Sequence, residues 1–217
     1  MTRPVPAPPP LKPQEFQEIC GVPADTLERL QVLAGLLEKW QAKVNLVSQD
    51  SLADLWRRHI LDSAQVFRLL PPAARTVADI GSGAGFPGLV LAIMGRGGPA
   101  RFHLVESNQR KCAFLGEVNR LTQSGAEIHH GRVEKLPRLN ADVITARALA
   151  PLTKLLEYAN LHLAEGGQCI FLKGKQWREE LTEARKSWIM KESNVSSISD
   201  SSGMVLKLEG LSRRDHR

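Results

Sequence analysis

Asp79-Ile80-Gly81-Ser82-Gly83-Ala84-Gly85-Phe86-Pro87-Gly88 lies between two apolar runs, Thr76-Val77-Ala78 and Leu89-Val90-Leu91-Ala92-Ile93. That order predicts a strand, a glycine turn and a helix. Glycines at three alternate positions let the backbone enter the left-handed region and come close to a ligand. Pro87 suits the first turn of the helix, where its missing N–H is not needed. The start of that helix is expected to offer free N–H groups to a polar or anionic ligand. The turn is therefore expected to hold a nucleotide-like cofactor, S-adenosylmethionine, with Gly81 and Gly83 against it.

A dinucleotide fits less well. Its fingerprint is G-x-G-x-x-G, with the third glycine packing helix on strand. Counted from Gly81, that sixth position is Phe86. S-adenosylmethionine has no pyrophosphate to cradle, so a bulky Phe86 is acceptable there. A second signal follows at Arg101-Phe102-His103-Leu104-Val105, which reads as a strand ending in Glu106. A carboxylate at that point is suited to accept both ribose hydroxyls of an adenosine, although dinucleotide sites carry an acid near the same place.

From Thr76 onward the pattern alternates. Strands are expected near 76–80, 101–106, 126–130, 141–146, 168–173, 194–199 and 204–210. Helices are expected near 87–94, 108–122, 151–163 and 176–189. Such alternation implies an α/β fold with a mostly parallel sheet covered on both faces. The short Ser-rich turn from Ser199 to Gly203 fits a hairpin, which would make one of the last two strands antiparallel. Before the sheet, Leu27, Leu30, Leu33, Leu37, Trp40 and Val44 recur at helical spacing, as do Leu52, Leu55, Trp56, His59, Ile60, Ser63 and Phe67. These segments are expected to form an N-terminal helical cap. Pro4 to Pro10 reads as an extended or disordered tail.

Open α/β sheets bind ligands at the carboxyl ends of their strands. That rule nominates Gly131-Arg132-Val133-Glu134 after strand three, near an adenine. It also nominates Arg147 after strand four, and Lys173 with Lys175 after strand five. Arg147 and Lys173 are expected to face one crevice, with Lys173 and Lys175 turned outward.

The 217 residues suit one domain with a small extension, and 42% hydrophobic residues suffice for a core. Cys20, Cys112 and Cys169 are scattered and form no CxxC pair, so neither a disulfide framework nor a metal site is expected. No apolar leader or membrane-length run is present, and a cytoplasmic, membrane-free monomer is expected. A net charge of +6 favours a polyanionic partner.

Several segments together resemble the bacterial small-subunit rRNA guanine-N7 methyltransferase family. They are Leu36-Leu37-Glu38-Lys39-Trp40, Val44-Asn45-Leu46-Val47-Ser48, Arg58-His59-Ile60-Leu61-Asp62-Ser63 and the glycine stretch. Lys111-Cys112-Ala113-Phe114-Leu115, Arg132-Val133-Glu134, Ala146-Arg147-Ala148 and Leu172-Lys173-Gly174 complete the set. The glycine motif is common to many methyltransferases. Arg58 to Ser63 and the Phe86-Pro87-Gly88 ending are far more specific. The chain departs from the family at Gln41, where asparagine commonly follows the tryptophan.

The resemblance implies a class I S-adenosylmethionine-dependent methyltransferase fold, Rossmann-like, with a seven-stranded sheet. The division it suggests is a disordered tail over 1–13, a helical cap over 14–72 and a methyltransferase domain over 73–217. Family cofactor contacts fall on Gly81, Phe86, Val133, Glu134 and Arg147. The implied substrate is a guanine of 16S rRNA, guanine 527 in the usual rRNA numbering, alone or in the small ribosomal subunit. Guanine N7 has a free lone pair, so no general base is required, and His59 is expected to pack at the junction of cap and sheet rather than to take a proton. The expected donor to the guanine is Arg58, Arg147 or Lys173. The alternatives are a small-molecule methyltransferase of the same fold, a catalytically silent RNA-binding assembly factor and, weakest, a nicotinamide dehydrogenase.

Overall fold

A computed structural model describes residues 8–214. Residues 1–7, which hold most of the expected proline tail, lie outside the described residues. The core of the fold is a seven-stranded sheet. In chain order its strands are β1 (Thr76–Ile80), β2 (Arg101–Glu106), β3 (Glu127–His130), β4 (Ala141–Arg147), β5 (Leu163–Lys173), β6 (Trp188–Ser196) and β7 (Met204–Arg213). The spatial order is β3-β2-β1-β4-β5-β7-β6. Strands β1 to β5 run parallel, and β7 is antiparallel to both β5 and β6. The order in which strands are added reverses at the middle, between the parallel β1 and β4, where such sheets open a crevice.

Central position explains the composition of β1. Its residues from Val77 to Ile80 are all buried, because helices cover both faces. One face packs under α5 (Gly88–Met94) and α6 (Gln109–Thr122), and the other under α7 (Leu152–His162) and α8 (Trp177–Ala184).

Before the sheet come α1 (Pro13–Cys20), α2 (Ala24–Gln41), α3 (Gln49–Leu52), a π-helical turn (Trp56–Leu61) and α4 (Asp62–Phe67). Phe16, Leu30, Leu33 and Leu37 are fully buried in the same apolar cluster as Leu89, Leu91 and Phe114. Each such side chain contributes about 1.5–3 kcal/mol on burial, so the N-terminal helices are held firmly on α5 and α6. Trp40 adds a polar tie, donating Nε1–H to Glu117 of α6 at 2.7 Å.

Three local expectations are corrected. The helix expected to run to 189 ends at Ala184, because Trp188 is buried and pairs with Arg213 as the first residue of β6. Strand β6 thus begins six residues before the expected 194. Strand β5 begins at Leu163, not 168; Gly166, at φ 72°, and a register shift between Ala141 and Val143 accommodate the extra length. The Leu52–Phe67 segment is not one α-helix. A π turn interrupts it and carries Arg58 and His59, and single π turns are frequent at functional sites.

Candidate active site

At the carboxyl ends of β1, β2, β4 and β5 lies a cleft of about 820 Å³. Its floor is the turn after β1. Gly81, Gly83 and Gly85 have φ of 73°, 56° and 88°, a region that side-chain-bearing residues rarely enter. Gly83 faces open space, with nothing closer than 3.9 Å to a Cβ built there. A Cβ on Gly81 would come within 2.5 Å of the Leu149 side chain, which overhangs the turn.

The start of α5 does not offer free N–H groups as expected. Gly88 N–H donates to Asp79 Oδ2 at 3.1 Å, and Leu89 N–H to Gly85 O at 2.8 Å. Helix α5 begins at Gly88, after a cis Phe86–Pro87 peptide. Gly88 is also a point where α5 packs closely on β1 and β2. A Cβ there would meet Leu104 at 2.4 Å and Asp79 at 2.5 Å. The close-packing glycine missing at position 86 is therefore supplied two residues later.

Asp79 is buried and works inward. Its Oδ1 accepts from Thr145 Oγ1 at 2.8 Å, which joins β1 to β4. Burial pushes its carboxyl up to about 6, against the pull of hydrogen bonds from Ser82, Thr145 and Gly88.

Glu106 closes the other side of the floor and is 8% exposed. Its Oε2 accepts from Gly83 N–H at 2.9 Å and its Oε1 from Asn108 N–H at 2.7 Å. A carboxylate has about four acceptor positions, so two remain for a ligand. Gly131 N–H donates to Glu106 O at 3.0 Å, which draws in the loop after β3. Within that loop, however, Val133 is buried and Glu134 is exposed beside Arg132, and neither lines the cleft.

The far wall is a polar network joining three separate segments. Arg147 donates from Nη1 to Asp62 Oδ2 at 3.1 Å and to Arg58 O at 2.9 Å, and from Nη2 to His59 Nδ1 at 2.6 Å. Its guanidinium also lies 5.0 Å from the Phe86 ring centre. His59 stacks on Phe86 at 4.9 Å and meets Ser51 Oγ through Nε2 at 2.8 Å. Since Nδ1 accepts from Arg147, Nε2 carries the hydrogen and donates to Ser51. Burial, then the charges of Arg147 and Arg58, push the imidazole pKa down to about 3. His59 is thus a neutral hydrogen-bonding link at physiological pH.

Asp62 is the hub. Beyond Arg147 it accepts from Ser199 Oγ at 2.6 Å and Gln65 Nε2 at 2.9 Å. Gln65 in turn accepts from Ile198 N–H at 3.1 Å. The β6–β7 turn, read in the sequence only as a hairpin, is a wall of the cleft. Asp62, Gln65, Ser199 and Asp200 were missed as site residues. The Arg58-to-Ser63 segment pointed toward Asp62, but the serines carried no signal beyond turn chemistry.

Gly81, Gly83, Phe86, Glu106, Arg147, Arg58 and Lys173 all line this one cleft. Lys173 is not turned outward. Its side chain is 7% exposed and its Nζ pairs with Glu180 at 2.6 Å. Arg58 pairs with Asp200 at 3.0 Å and stays 48% exposed at the mouth, while Lys175 is exposed.

Residues 26–207 match the family described as rRNA small subunit methyltransferase G. A protein named ribosomal RNA small subunit methyltransferase G from Paramagnetospirillum magneticum is 53% identical over 201 residues, covering 93% of this chain and 97% of its own. One of the same name from Rhodospirillum rubrum is 46% identical, covering 94% and 100%. Among solved structures, an S-adenosylmethionine-dependent methyltransferase from Aquifex aeolicus superposes with TM-score 0.58 at 18% identity, over 74% of this chain and 95% of that one. Fibrillarin from Aeropyrum pernix, solved with natively bound S-adenosyl-L-methionine, gives 0.55 at 18%, over 70% and 75%. Those two likenesses concern the fold.

Proposed function

The chain belongs to the rRNA small subunit methyltransferase G family, and from that premise we propose that it methylates N7 of one guanine of 16S rRNA, guanine 527 in the usual numbering, using S-adenosylmethionine. The observation that carries this reading is the pairing of the glycine turn with Glu106. Gly83 leaves its backbone open to the cleft, and the Glu106 carboxylate is held by two backbone N–H groups with two acceptor positions left over. Those positions suit the two ribose hydroxyls of an adenosine.

Bound there, S-adenosylmethionine supplies a methyl group already activated by its positively charged sulfur. The tasks left to the protein are alignment and the exclusion of water. Guanine N7 carries a free lone pair at neutral pH, so no side chain has to remove a proton. A neutral His59 whose pKa lies near 3 is consistent with that, because such an imidazole is a poor base. Arg147 spends three donors on Asp62, Arg58 O and His59, which suits a positioning role in the wall rather than base reading. Lys173 is likewise committed to Glu180. Arg58 pairs with Asp200 through Nη1, but at the half-exposed mouth it keeps further N–H donors and is the side chain best suited to guanine O6. The target base has to leave its stack to reach the cleft, as single-stranded rRNA loops allow.

The test is transfer of labelled methyl from S-adenosylmethionine to free small ribosomal subunits and, separately, to deproteinised rRNA, followed by mapping. The expected result is label at a single guanine in at least one arm. Binding of S-adenosylmethionine with no transfer in either arm would overturn the proposal in favour of a silent RNA-binding factor.

A further inference from the structure

Strands β2 and β3 carry a group of ligating side chains that the methyl-transfer reading does not use. In their parallel register His103 stands opposite Glu127, and Val105 opposite His129. Side chains alternate along a strand. Phe102, Leu104 and Ile128 enter the apolar layer under α5 and α6. His103, Glu127 and His129 therefore share the opposite face, at the sheet edge formed by β3.

The three side chains converge. His103 Nδ1 lies 2.9 Å from His129 Nε2 and 3.5 Å from Glu127 Oε2, and one ligand atom from each lies within 4.8 Å of the others. The imidazole rings are nearly parallel, 23° apart with centres at 5.2 Å. Among the described residues no other three His, Cys, Asp or Glu side chains meet in this way.

We propose that His103, Glu127 and His129 form a Zn²⁺ site on the outer face of the β2–β3 edge. Tetrahedral zinc with Zn–N and Zn–O bonds near 2.0–2.2 Å sets its ligand atoms about 3.3 Å apart. Separations of 2.9 and 3.5 Å bracket that value, and Glu127 and His129 lie within 4.8 Å of each other, so small side-chain rotations would bring the three onto one ion. Two imidazoles and one carboxylate favour zinc over the hard cations magnesium and calcium, which take oxygen ligands. Glu127, more than half exposed, leaves room for water in the fourth position. The ion would clip β3, an edge strand of four residues, to the strand that ends in Glu106. Nothing in the linear spacing announces it, since 23 residues separate His103 from Glu127 and no CxxC or HxxxH pattern joins them.

The experiment uses full-length, tag-free protein stripped with a chelator. Calorimetry with ZnCl₂ should give one Zn²⁺ per chain, and Co²⁺ should give the visible absorption of a tetrahedral site. Zn²⁺ should also raise the melting temperature. Glu127→Gln, at an exposed position, should weaken Zn²⁺ binding about tenfold or more. The double variant His103→Gln with His129→Gln should abolish both binding and thermal shift. Affinity for S-adenosylmethionine in the absence of metal should be unchanged in Glu127→Gln. Absence of saturable Zn²⁺ binding to the wild type would overturn the proposal. So would binding that persists at full strength in Glu127→Gln or in the double variant, because other groups would then hold the ion.

Discussion

His59 and Asp79 lie on either side of the glycine turn with their ionisation pushed in opposite directions. Both shifts are caused chiefly by burial, which disfavours whichever form is charged. For His59 the folded value is about 3 against an ordinary 6.5. Below pH 6.5 the unfolded chain therefore takes up a proton that the folded one refuses, and stability is lost as pH falls toward 3. The slope is up to about 1.4 kcal/mol per pH unit. Asp79 is raised from 3.8 to about 6, so its contribution is present below 3.8 and lost as pH rises through 6. Between about pH 4 and 6 the two offset each other. Replacing His59 by Gln should remove one of them. The melting temperature of His59→Gln should gain on the wild type as pH drops from 6.5 to 4, and parallel melting curves across that window would contradict the assignment. Glu106 is the second test at this scale. Glu106→Ala should weaken S-adenosylmethionine by about 1.5–3 kcal/mol, the range of a charge-assisted hydrogen bond. It should also lower the melting temperature, because Gly83 and Asn108 N–H lose their acceptor. A dissociation constant equal to the wild type would show that Glu106 does not hold the ribose. Individual residues of this kind were legible to different degrees. The glycines and Glu106 follow from backbone freedom and a strand end. The inward use of Asp79 and the burial of Lys173 depend on partners 66 and 7 residues away that no local pattern joins.

At the scale of elements, the π turn of Trp56–Leu61, the end of β4 and the β6–β7 turn meet through Asp62, Arg147 and Ser199. The sequence pattern made the first of these an ordinary amphipathic helix, because apolar spacing does not distinguish a π turn within it. It also extended α8 too far. Glu179, Glu180 and Glu183 favour helix, but burial of Trp188 against the second apolar cluster decides the boundary. The strand β5 exit is the proposed region of RNA contact. Lys173 is tied to Glu180, so reversing it would set two carboxylates against each other and damage the fold. Lys175 is exposed, and Arg178 is exposed and stacks on Trp177 at 4.3 Å. Reversing Lys175 and Arg178 together should weaken rRNA binding and lower its salt slope by about 0.7–0.9 per lost phosphate contact, without changing affinity for S-adenosylmethionine. An identical salt slope would put the RNA path elsewhere.

Across the whole molecule, the parallel sheet, its single reversed strand and the cleft at the strand ends follow from alternation, one serine turn and the topology of open sheets. The depth to which the N-terminal helices share the core was less legible. Periodicity marks an apolar face but not what covers it, and only in the folded chain do Phe16 and Leu37 join Leu89 and Phe114. That joint core has a functional consequence. It fixes Ser51, Arg58, His59 and Asp62 from one side of the cleft against Phe86 and Arg147 from the other. The polar groups nearest the glycine turn are thus engaged with one another, the arrangement expected of a site that runs the proposed reaction with no proton removed. The direct measurement is the single-turnover rate of methyl transfer to 16S rRNA at saturating S-adenosylmethionine from about pH 6 to pH 9. The account predicts a nearly flat profile, most of that rate retained in His59→Gln, and a much larger loss in Arg147→Ala. A rate that climbs tenfold per pH unit below pH 7 and vanishes in His59→Gln would contradict it and identify His59 as a base acting on a different acceptor atom.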